Sequence, residues 1–285
     1  MSMINISDIY RAELSNNQFE RIAAYIENEI GIKMPPSKKI MVQARLKKRL
    51  RELNMVSFED YLKYVFSKEG MSSEIIHVFD VISTNKTDFY REPTHFKFLT
   101  DVVLPQFAKQ NTNKKFKVWS AACSSGEEPY TIGITVSEFL EGNQRFDFEV
   151  HGTDISTQIL KLAVNGIYTE SRVKPAIPDY LMRKYFMRSR DLTKKTYRVV
   201  PELRNKMKFS RLNFMDETYA LPEKYDVAFC RNVLIYFDRP TQEKVVEKIT
   251  RYLKPGGYFF HGHSESLMGM DLPLKCVKPT IFQKI

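Results

Sequence analysis

Apolar residues recur at helical spacing through the first 83 residues of the chain. From Phe19 to Ile30 they share one helical face, and Gly31 follows as a stop; the face is formed by Phe19, Ile22, Ala23, Ile26 and Ile30. Pro35 and Pro36 mark a break in the pattern. Beyond them, one apolar stripe is formed by Val42, Leu46, Leu50 and Leu53.

The rest of this region continues the helical pattern. Ser57, with Asp60 three residues on, resembles a capping box, and Ile75 to Ile82 form a last apolar stretch. No strand pattern intervenes. We therefore predict an all-helical N-terminal domain with its linker over residues 1–83, followed by a second domain over residues 84–285.

The pattern changes after Thr112, where short apolar runs of strand length alternate with helical stretches. Such alternation predicts an α/β domain with a mostly parallel, Rossmann-like sheet covered by helices on both faces. The predicted strands are Lys117–Ala122, Phe148–Thr153, Met207–Arg211, Tyr225–Cys230, Tyr258–Gly262 and an edge strand from Cys276 to Gln283. The predicted helices are Glu128–Leu140, a helix after Ser156, and Thr241–Leu253.

One segment interrupts this alternation. Tyr168 to Pro201 is too long for a simple loop between a helix and a strand, and Thr196 to Val200 has strand character. We predict a small inserted β-subdomain over about residues 168–205.

Composition narrows the class of protein. A length of 285 residues fits about two domains, and 43% hydrophobic residues suffice for a buried core. No apolar run approaches the ~20 residues of a membrane span, and Met1 to Arg11 lack the apolar stretch of a secretory signal. Three cysteines without a CxxC pair favour a reducing, cytoplasmic setting over a disulfide framework. The net charge of +10 favours acidic partners but does not choose among them.

Polar and small residues follow the predicted strands. The turn from Ala121 to Glu128 joins a strand to a helix, and its small residues allow close approach of a ligand to the backbone. It is not a GxGxxG fingerprint, and its two glutamates at the mouth suit a cation better than a pyrophosphate. An ordinary capped turn remains the alternative.

Three further strand ends carry polar side chains. Asp154 ends the second strand, where an acid can bind ribose hydroxyls, or alternatively cap the next helix. Asn213 follows the strand Met207–Arg211, and Asn232 follows Tyr225–Cys230. Ligands bind at the carboxyl ends of strands in open α/β sheets, so these positions together predict a site.

Six sequence segments resemble the signatures of CheR-type chemotaxis receptor methyltransferases, in the order and spacing of that family. They are NKTDFYRE from Asn85, VWSAACSSGEEPY from Val118, Thr153–Asp154–Ile155, CRNVLIYF from Cys230, LKPGG from Leu253 and GHSE from Gly262. The resemblance implies a helical N-terminal domain and an S-adenosylmethionine (SAM) domain with an inserted β-subdomain. It implies methylation of glutamate side chains on the cytoplasmic helical bundle of chemoreceptors, with S-adenosylhomocysteine as the product.

The resemblance also implies roles for individual residues. Asn85, Thr87 and Arg91 would line the site from the linker, and Ala122 and Glu128 would contact the methionine part of SAM. Asp154 and Ile155 would hold the ribose and flank the adenine, with Asn213 and Phe214 near the adenine. Asn232 and Val233 would close the site near the methyl group. We expect Arg91 to orient the acceptor carboxylate and Tyr236 to shape the methyl path, although a salt bridge for Arg91 and simple packing for Tyr236 are alternatives.

A cluster of basic residues is a candidate surface for receptor docking. Arg45, Lys48, Arg49 and Arg51, with Lys47, fall within seven residues, and the apolar stripe lies opposite most of them. A basic face would attract an acidic helical bundle, in a salt-dependent manner, although a charge run is often only a solvated face.

Other functions are less well supported. His261 and His263 alternate along a predicted strand, but no HExxH or cysteine cluster accompanies them, so we expect no metal. A nucleic-acid methyltransferase would fit the positive charge, yet Asn232 to Tyr236 lack the Asn/Asp-Pro-Pro-aromatic motif common in enzymes acting on base amino groups. A non-catalytic SAM-binding module is the third possibility. We expect neither nucleic-acid binding nor membrane insertion.

Overall fold

The computed structural model describes residues 9, 11–110, 114–141 and 146–285, without the Leu192 side chain. Residues 1–8 of the predicted helical domain, most of the polar N-terminal segment and Thr112 lie outside the described residues. The chain divides into two compact units, one formed by residues 1–84 with 236–238, the other by residues 85–235 with 239–285.

The first unit is built from helices, as predicted. Its described helices are α1 (Asn16–Ile30), α2 (Lys39–Glu52), α3 (Phe58–Val65), α4 (Lys68–Ser72) and α5 (Glu74–Ile82), with a 3₁₀ turn at Pro36–Lys38. The ends follow the sequence signals: a capping box joins Ser15 to Gln18, and Gly31 ends α1 with φ 72°, donating its N–H to Glu27. Ser57 accepts the Asp60 N–H at the start of α3.

The core of this unit follows the predicted stripes. Ile22 and Ile26 of α1 and Leu46 and Leu50 of α2 are fully buried, as is Tyr61 of α3. Leu53, the last residue of the predicted α2 stripe, is only half-buried, because α2 ends one residue before it.

The second unit contains the predicted sheet. In the described residues seven strands pair in the order β6-β2-β1-β7-β8-β10-β9. The first five are parallel, and the final hairpin adds antiparallel partners. Their bounds are β1 Lys115–Ala121, β2 Asp147–Asp154, β6 Met207–Arg211, β7 Tyr225–Cys230, β8 Leu253–His261, β9 Leu274–Lys278 and β10 Ile281–Lys284.

Helices connect these strands. The connections include α8 (Glu127–Leu140) after β1, α9 (Thr157–Asn165) after β2 and α13 (Arg239–Arg251) before β8. Ahead of β1 lie α6 (Pro93–Phe98), a π-helical turn at Leu99–Val103 and α7 (Leu104–Gln110). Phe116, Val118, Phe229 and Phe260 of the central strands are fully buried, which accounts for their continuous apolar runs.

The inserted β-subdomain in the predicted fold is confirmed. Three short strands, β3 (Ile167–Thr169), β4 (Phe186–Arg188) and β5 (Thr196–Val199), form a separate antiparallel sheet in the order β3-β5-β4. Short helices α10 (Glu170–Val173) and α11 (Asp179–Tyr185) lie between them, and α12 (Pro201–Arg204) leads to β6.

Two strand predictions need correction. The C-terminal segment is not one edge strand but a hairpin, because Pro279 and Thr280, with Thr280 at φ 66°, turn the chain between β9 and β10. Strand β8 starts at Leu253 rather than Tyr258, so the LKPGG segment lies inside it. Across the described ranges, no helix has both the length and the apolar character needed to span a membrane.

Candidate active site

The carboxyl ends of three neighbouring strands lie at one edge of the sheet. β1 has β2 on one side and β7 on the other, all parallel. The chain reverses its direction of travel across the sheet between β1 and β7, which makes this pair the topological switch point where doubly wound folds bind ligands. The predicted site residues after β1, β2 and β7 are therefore brought together.

The turn after β1 has an unusual backbone. Ala122 and Ser124 adopt left-handed φ values of 63° and 50°, and Gly126 has φ 94°. A Cβ atom at Gly126 would lie 2.9 Å from the Ala163 Cβ, so only glycine fits there. Strained non-glycine residues of this kind concentrate at functional sites.

Asp154 ties this turn to the segment after β2. Its buried carboxylate accepts the backbone N–H groups of Ser124 (2.9 Å) and Ser156 (3.0 Å). Ser156 is the N-cap of α9, since its own hydroxyl accepts the Ile159 N–H. The alternative role of Asp154 as the helix cap is therefore wrong, and its contact with the ribose stays a prediction.

The linker segment is bonded to the site through its backbone. The Ser124 hydroxyl donates to the Asn85 carbonyl (3.0 Å), Arg172 of α10 donates to the Thr87 carbonyl (3.2 Å), and Arg231 donates to the Arg91 carbonyl. Asn85, Thr87 and Arg91 thus lie beside the turn and the end of β7, as expected for residues lining one site.

In the described residues the Arg91 guanidinium is bound by a carbonyl group and not by an acid. Its Nη1 donates to the Lys86 carbonyl at 3.2 Å. Within the ranges that the structure describes, no carboxylate pairs with it, and Glu92 pairs with Arg231 instead. The alternative that Arg91 serves an adjacent salt bridge to Glu92 is therefore wrong.

Arg231 lies at the centre of a buried ion-pair network that was not predicted from the sequence. Its side chain, 2% exposed, lies 3.0 Å from Glu128 and 3.1 Å from Glu92, and its guanidinium carbon is 5.6 Å from the centre of the Phe96 ring. Glu128 also accepts the Ser120 hydroxyl at 2.6 Å. A buried arginine requires such partners, because an unpaired charge inside a protein is costly. Arg231 therefore connects the linker, β1, α8 and the end of β7.

The pKa values in this network follow from burial and pairing. Burial raises the pKa of Glu128, against the opposing effects of Arg231 and Ser120. Burial also opposes ionisation of Glu92, but Arg231 and the N–H groups of His263 and Asn232 outweigh it and lower its pKa. Burial, with Arg231 nearby, lowers the pKa of His95 to about 3, so this imidazole is neutral at pH 7.

The two glutamates of the turn are not both at its mouth, which corrects the sequence analysis. Glu127 is fully buried, with Arg172 2.7 Å away and the Ser125 hydroxyl donating to it. Glu128 faces Arg231. The two glutamates therefore pair with two arginines inside the protein. The contact of Glu128 with SAM stays a prediction.

One carboxylate organises the loop after β7. Glu265 accepts the N–H groups of Val233 (2.8 Å) and Leu234 (2.7 Å) through one oxygen and that of Gly262 (2.6 Å) through the other. Asn232 has φ 58° and its side chain lies close to Gly262, where a Cβ would come within 2.6 Å of the Asn232 Nδ2. The GHSE segment therefore supports the CRNVLIYF segment.

The residues predicted near the adenine are ordered around the ends of β2 and β6. Asn213 accepts the Met215 N–H at 3.0 Å, and the Ile155 carbonyl accepts a hydrogen bond from Arg211. The Phe214 side chain is buried against Tyr219, at a ring distance of 6.3 Å. Their contacts with adenine stay predictions.

Tyr236 groups with the helical unit rather than with the α/β unit. Its carbonyl accepts the Lys33 N–H at 2.9 Å, and the Lys38 ammonium lies 5.9 Å from its ring. The catalytic role of Tyr236 stays a prediction.

The basic residues of the predicted docking cluster on α2 differ in their exposure to solvent. Arg49 is 7% exposed and binds Glu74 with two hydrogen bonds of 2.8 and 2.7 Å, with Tyr61 donating to the same carboxylate. Its assignment to a docking surface is therefore wrong. Arg45 donates to the Ile82 and Ser83 carbonyls at the end of α5. Lys48, 60% exposed, and Arg51 remain on the surface.

The side chains at the strand ends fit an adenosyl-methionine ligand. Asp154 offers a carboxylate at the end of β2, and Asn213 and Asn232 offer amides after β6 and β7. Backbone N–H groups and small residues surround them in the turn after β1. This donor set suits a nucleoside with a charged amino acid tail, and it lacks the glycine fingerprint of a pyrophosphate site.

The strand order, the antiparallel β10 beside β8 and this set of strand-end residues define an α/β methyltransferase. A family model described as "CheR methyltransferase, SAM binding domain" matches residues 85–282, and one described as "CheR methyltransferase, all-alpha domain" matches residues 17–83. The chain belongs to the CheR methyltransferase family, and SAM is its cofactor.

Named relatives agree with this assignment. The chain is 35% identical to the chemotaxis protein methyltransferase of Borreliella burgdorferi, over 95% of each protein. It is 38% identical to that of Escherichia coli over 92% of this chain and 88% of the relative. It is 39% identical to that of Klebsiella aerogenes over 90% of this chain and 85% of the relative.

Proposed function

We propose that the protein methylates glutamate side chains of chemoreceptors, forming glutamate methyl esters, and that it acts at the cytoplasmic part of those receptors. The chemotaxis names of its relatives support this substrate class. The structural observation that carries the proposal is Arg91, whose carbonyl accepts a hydrogen bond from Arg231 at the end of β7 and whose guanidinium has no acidic partner in the described residues.

The reaction needs no general base. Bound SAM supplies a methyl group on a positively charged sulfur, and a glutamate of pKa about 4.3 is already ionised at neutral pH. A carboxylate oxygen forms the new bond to carbon while the bond to sulfur breaks, so no proton moves. The task of the protein is to align the acceptor and to exclude water.

The acceptor is oriented by Arg91. A guanidinium holds a carboxylate through two parallel hydrogen bonds, and the Arg91 backbone is itself fixed by Arg231. Tyr236 lines the path of the methyl group in this proposal. Ala122 and Glu128 hold the methionine part of SAM, Asp154 and Ile155 its ribose, Asn213 and Phe214 its adenine, and Asn232 and Val233 its methyl end.

Receptor docking uses the exposed part of the α2 cluster. Lys48 and Arg51 present positive charge to solvent, whereas Arg45 and Arg49 serve the helical unit itself. An acidic helical bundle would be attracted to this face, with an effect that falls as salt rises.

A transfer assay with methyl-labelled SAM tests the proposal. Receptor-containing membranes should acquire label that mild base releases, because esters hydrolyse under these conditions and N-methyl groups do not. Label in RNA or DNA instead would favour a nucleic-acid methyltransferase. Binding of SAM in calorimetry without any transfer to receptors would favour a non-catalytic module.

A further inference from the structure

Three side chains of kinds that can bind a metal ion lie together beside the active site and have no part in the proposed reaction. Glu92, His95 and His263 each offer one ligand atom, and these atoms lie within 4.8 Å of one another. His95 is buried, Glu92 is half-buried and His263 is exposed. From the sequence we expected no metal at His261 and His263, because no HExxH or cysteine cluster accompanies them. Glu92 and His95, which the fold brings to His263, are about 170 residues away in the chain.

Thr280 lies against one ring nitrogen of His95. Its hydroxyl is 2.6 Å from the Pro279 carbonyl and 2.7 Å from the His95 Nε2. When the Thr280 hydroxyl donates to Pro279, the imidazole donates to Thr280 from Nε2, and in that tautomer of the neutral ring Nδ1 carries a lone pair.

The other ring nitrogen of His95 is unsatisfied. The His95 Nδ1 is buried and makes no hydrogen bond in the described part of the chain, and it faces the Glu92 Oε2 at 3.5 Å. A buried polar atom without a partner is unfavourable. A cation bound by both atoms would satisfy them.

The donor set indicates which cation would bind. Two imidazole nitrogens and one carboxylate oxygen suit zinc, cobalt or nickel, whereas magnesium and calcium prefer oxygen ligands alone. Metal-bound histidines usually donate their other N–H to an oxygen, and the Thr280 hydroxyl oxygen lies 2.7 Å from the His95 Nε2. Three protein ligands leave a further position open, and the exposure of His263 provides a route from solvent.

Arg231 limits the affinity of such a site. Its guanidinium lies 3.1 Å from the same Glu92 oxygen, so a second cation there meets electrostatic repulsion. The site should therefore bind more weakly than a structural zinc site.

We propose that Glu92, His95 and His263 form a binding site for one divalent transition-metal ion of the zinc class. The site is distinct from the positions proposed for SAM and for the acceptor glutamate. Its existence does not depend on the reaction that the protein catalyses.

Cobalt titration of the chelator-treated protein tests the proposal without any activity assay. We expect visible absorption that saturates at one cobalt per chain and is displaced by zinc. The Cys276→Ser protein should serve as the starting form, because Cys276 is an exposed thiol that binds the same ions.

The variants are chosen to locate the site. His263→Gln removes an exposed ligand, so folding should be retained, and cobalt should bind at least ~10-fold more weakly, because losing a ligand costs more than losing an outer-shell partner. His77→Gln is the matched control, because His77 is a partly exposed histidine of the helical unit, and its affinity should equal that of the starting form. Absence of saturable binding, or equal affinity in His263→Gln, would overturn the proposal.

Discussion

Two buried arginines of this protein look alike in their local chemistry but differ in what they organise. Arg49 in the helical unit binds Glu74 and Glu52, and Arg231 in the α/β unit binds Glu92 and Glu128. Arg49 joins α2 to α5, inside a core of helices. Arg231 joins the linker to three elements at the carboxyl ends of the strands, where Glu92, Ala122 and Asn232 also adopt left-handed backbone conformations.

The difference shows that a buried ion pair alone does not mark a functional site. Both arginines satisfy the same requirement, which is that a buried charge must be paired. The location at the topological switch point and the strained backbone around it distinguish Arg231. Variants of the two residues therefore separate structural from functional effects.

The largest expected effect is a loss of stability on replacing either arginine. Arg231→Met and Arg49→Met each leave a buried carboxylate without its partner, so the free energy of unfolding of the affected unit should fall by ~3–5 kcal/mol. Trp119, the only tryptophan and fully buried in β1, reports on the α/β unit by fluorescence, and circular dichroism follows the helices.

Only one of these variants should also affect the cofactor. Arg231→Met should weaken S-adenosylhomocysteine binding on the order of tenfold in calorimetry, about 1.4 kcal/mol. Arg49→Met should bind normally at temperatures where it is folded. Equal affinity in both variants would mean that Arg231, like Arg49, has a structural role only.

The next largest effect concerns Arg91, whose guanidinium has no acidic partner in the described residues. Arg91→Ala should reduce methyl transfer by ~100-fold or more, because the acceptor carboxylate loses its orientation. Binding of SAM should remain measurable, and unfolding should change little compared with Arg231→Met. Arg251→Ala, which removes an exposed arginine of α13, is the control. Unchanged turnover in Arg91→Ala would refute the role.

A smaller effect is expected from His151, a buried histidine that is hydrogen-bonded to two hydroxyl groups. His151 lies between the Tyr225 hydroxyl (2.7 Å) and the Ser210 hydroxyl (2.8 Å), and burial lowers its pKa. Below pH 6.5 the unfolded chain takes up a proton that the folded protein does not, so the free energy of unfolding decreases as the pH is lowered. Between pH 6.5 and 5.5 this contribution is at most about 1 kcal/mol.

The variant His151→Gln isolates that contribution. It should be less stable than the parent at pH 7, and the difference in the free energy of unfolding should shrink as the pH falls to 5.5. Urea titrations followed by Trp119 fluorescence at several pH values measure it. A constant difference would show that His151 takes up its proton equally in both states.

The smallest effect concerns the surface beside Arg49. Reversing the charges of Lys48 and Arg51 to glutamate should slow receptor methylation about three- to fivefold at low salt, with rates converging at high salt. Affinity for SAM should not change. Reversing Lys63 and Lys68, on α3 and α4, changes the net charge equally and should have no such effect. Equal rates in both double variants would exclude this docking face.

The sequence predicted most of the fold because its local signals agree with the tertiary structure. The bounds of β6 and β7 match the predictions, and Gly31 ends α1 as expected. The C-terminal hairpin was missed, since one apolar stretch interrupted by Pro279 and Thr280 does not reveal how two strands pair. The helices from Pro93 to Gln110 were also not predicted.

The site was predicted in position but not in its electrostatics. Strand-end spacing placed Asp154 and Asn232, whereas the partners of Arg231 lie 139 and 103 residues away and cannot be read from spacing. For the same reason Arg49 was wrongly predicted to lie on the docking surface, because its partner Glu74 belongs to another helix. An arginine beside Asn232 at the end of an apolar strand was the available signal, because such a charge needs a buried acid.

Glu265 has a consequence for how changes pass between neighbouring loops. A single carboxylate anchors three amides, two after β7 and one after β8, so neither loop can shift without releasing bonds to the other. A ligand that displaces Val233 would therefore also move Gly262. Loss of the Glu265 side chain would release both loops at once.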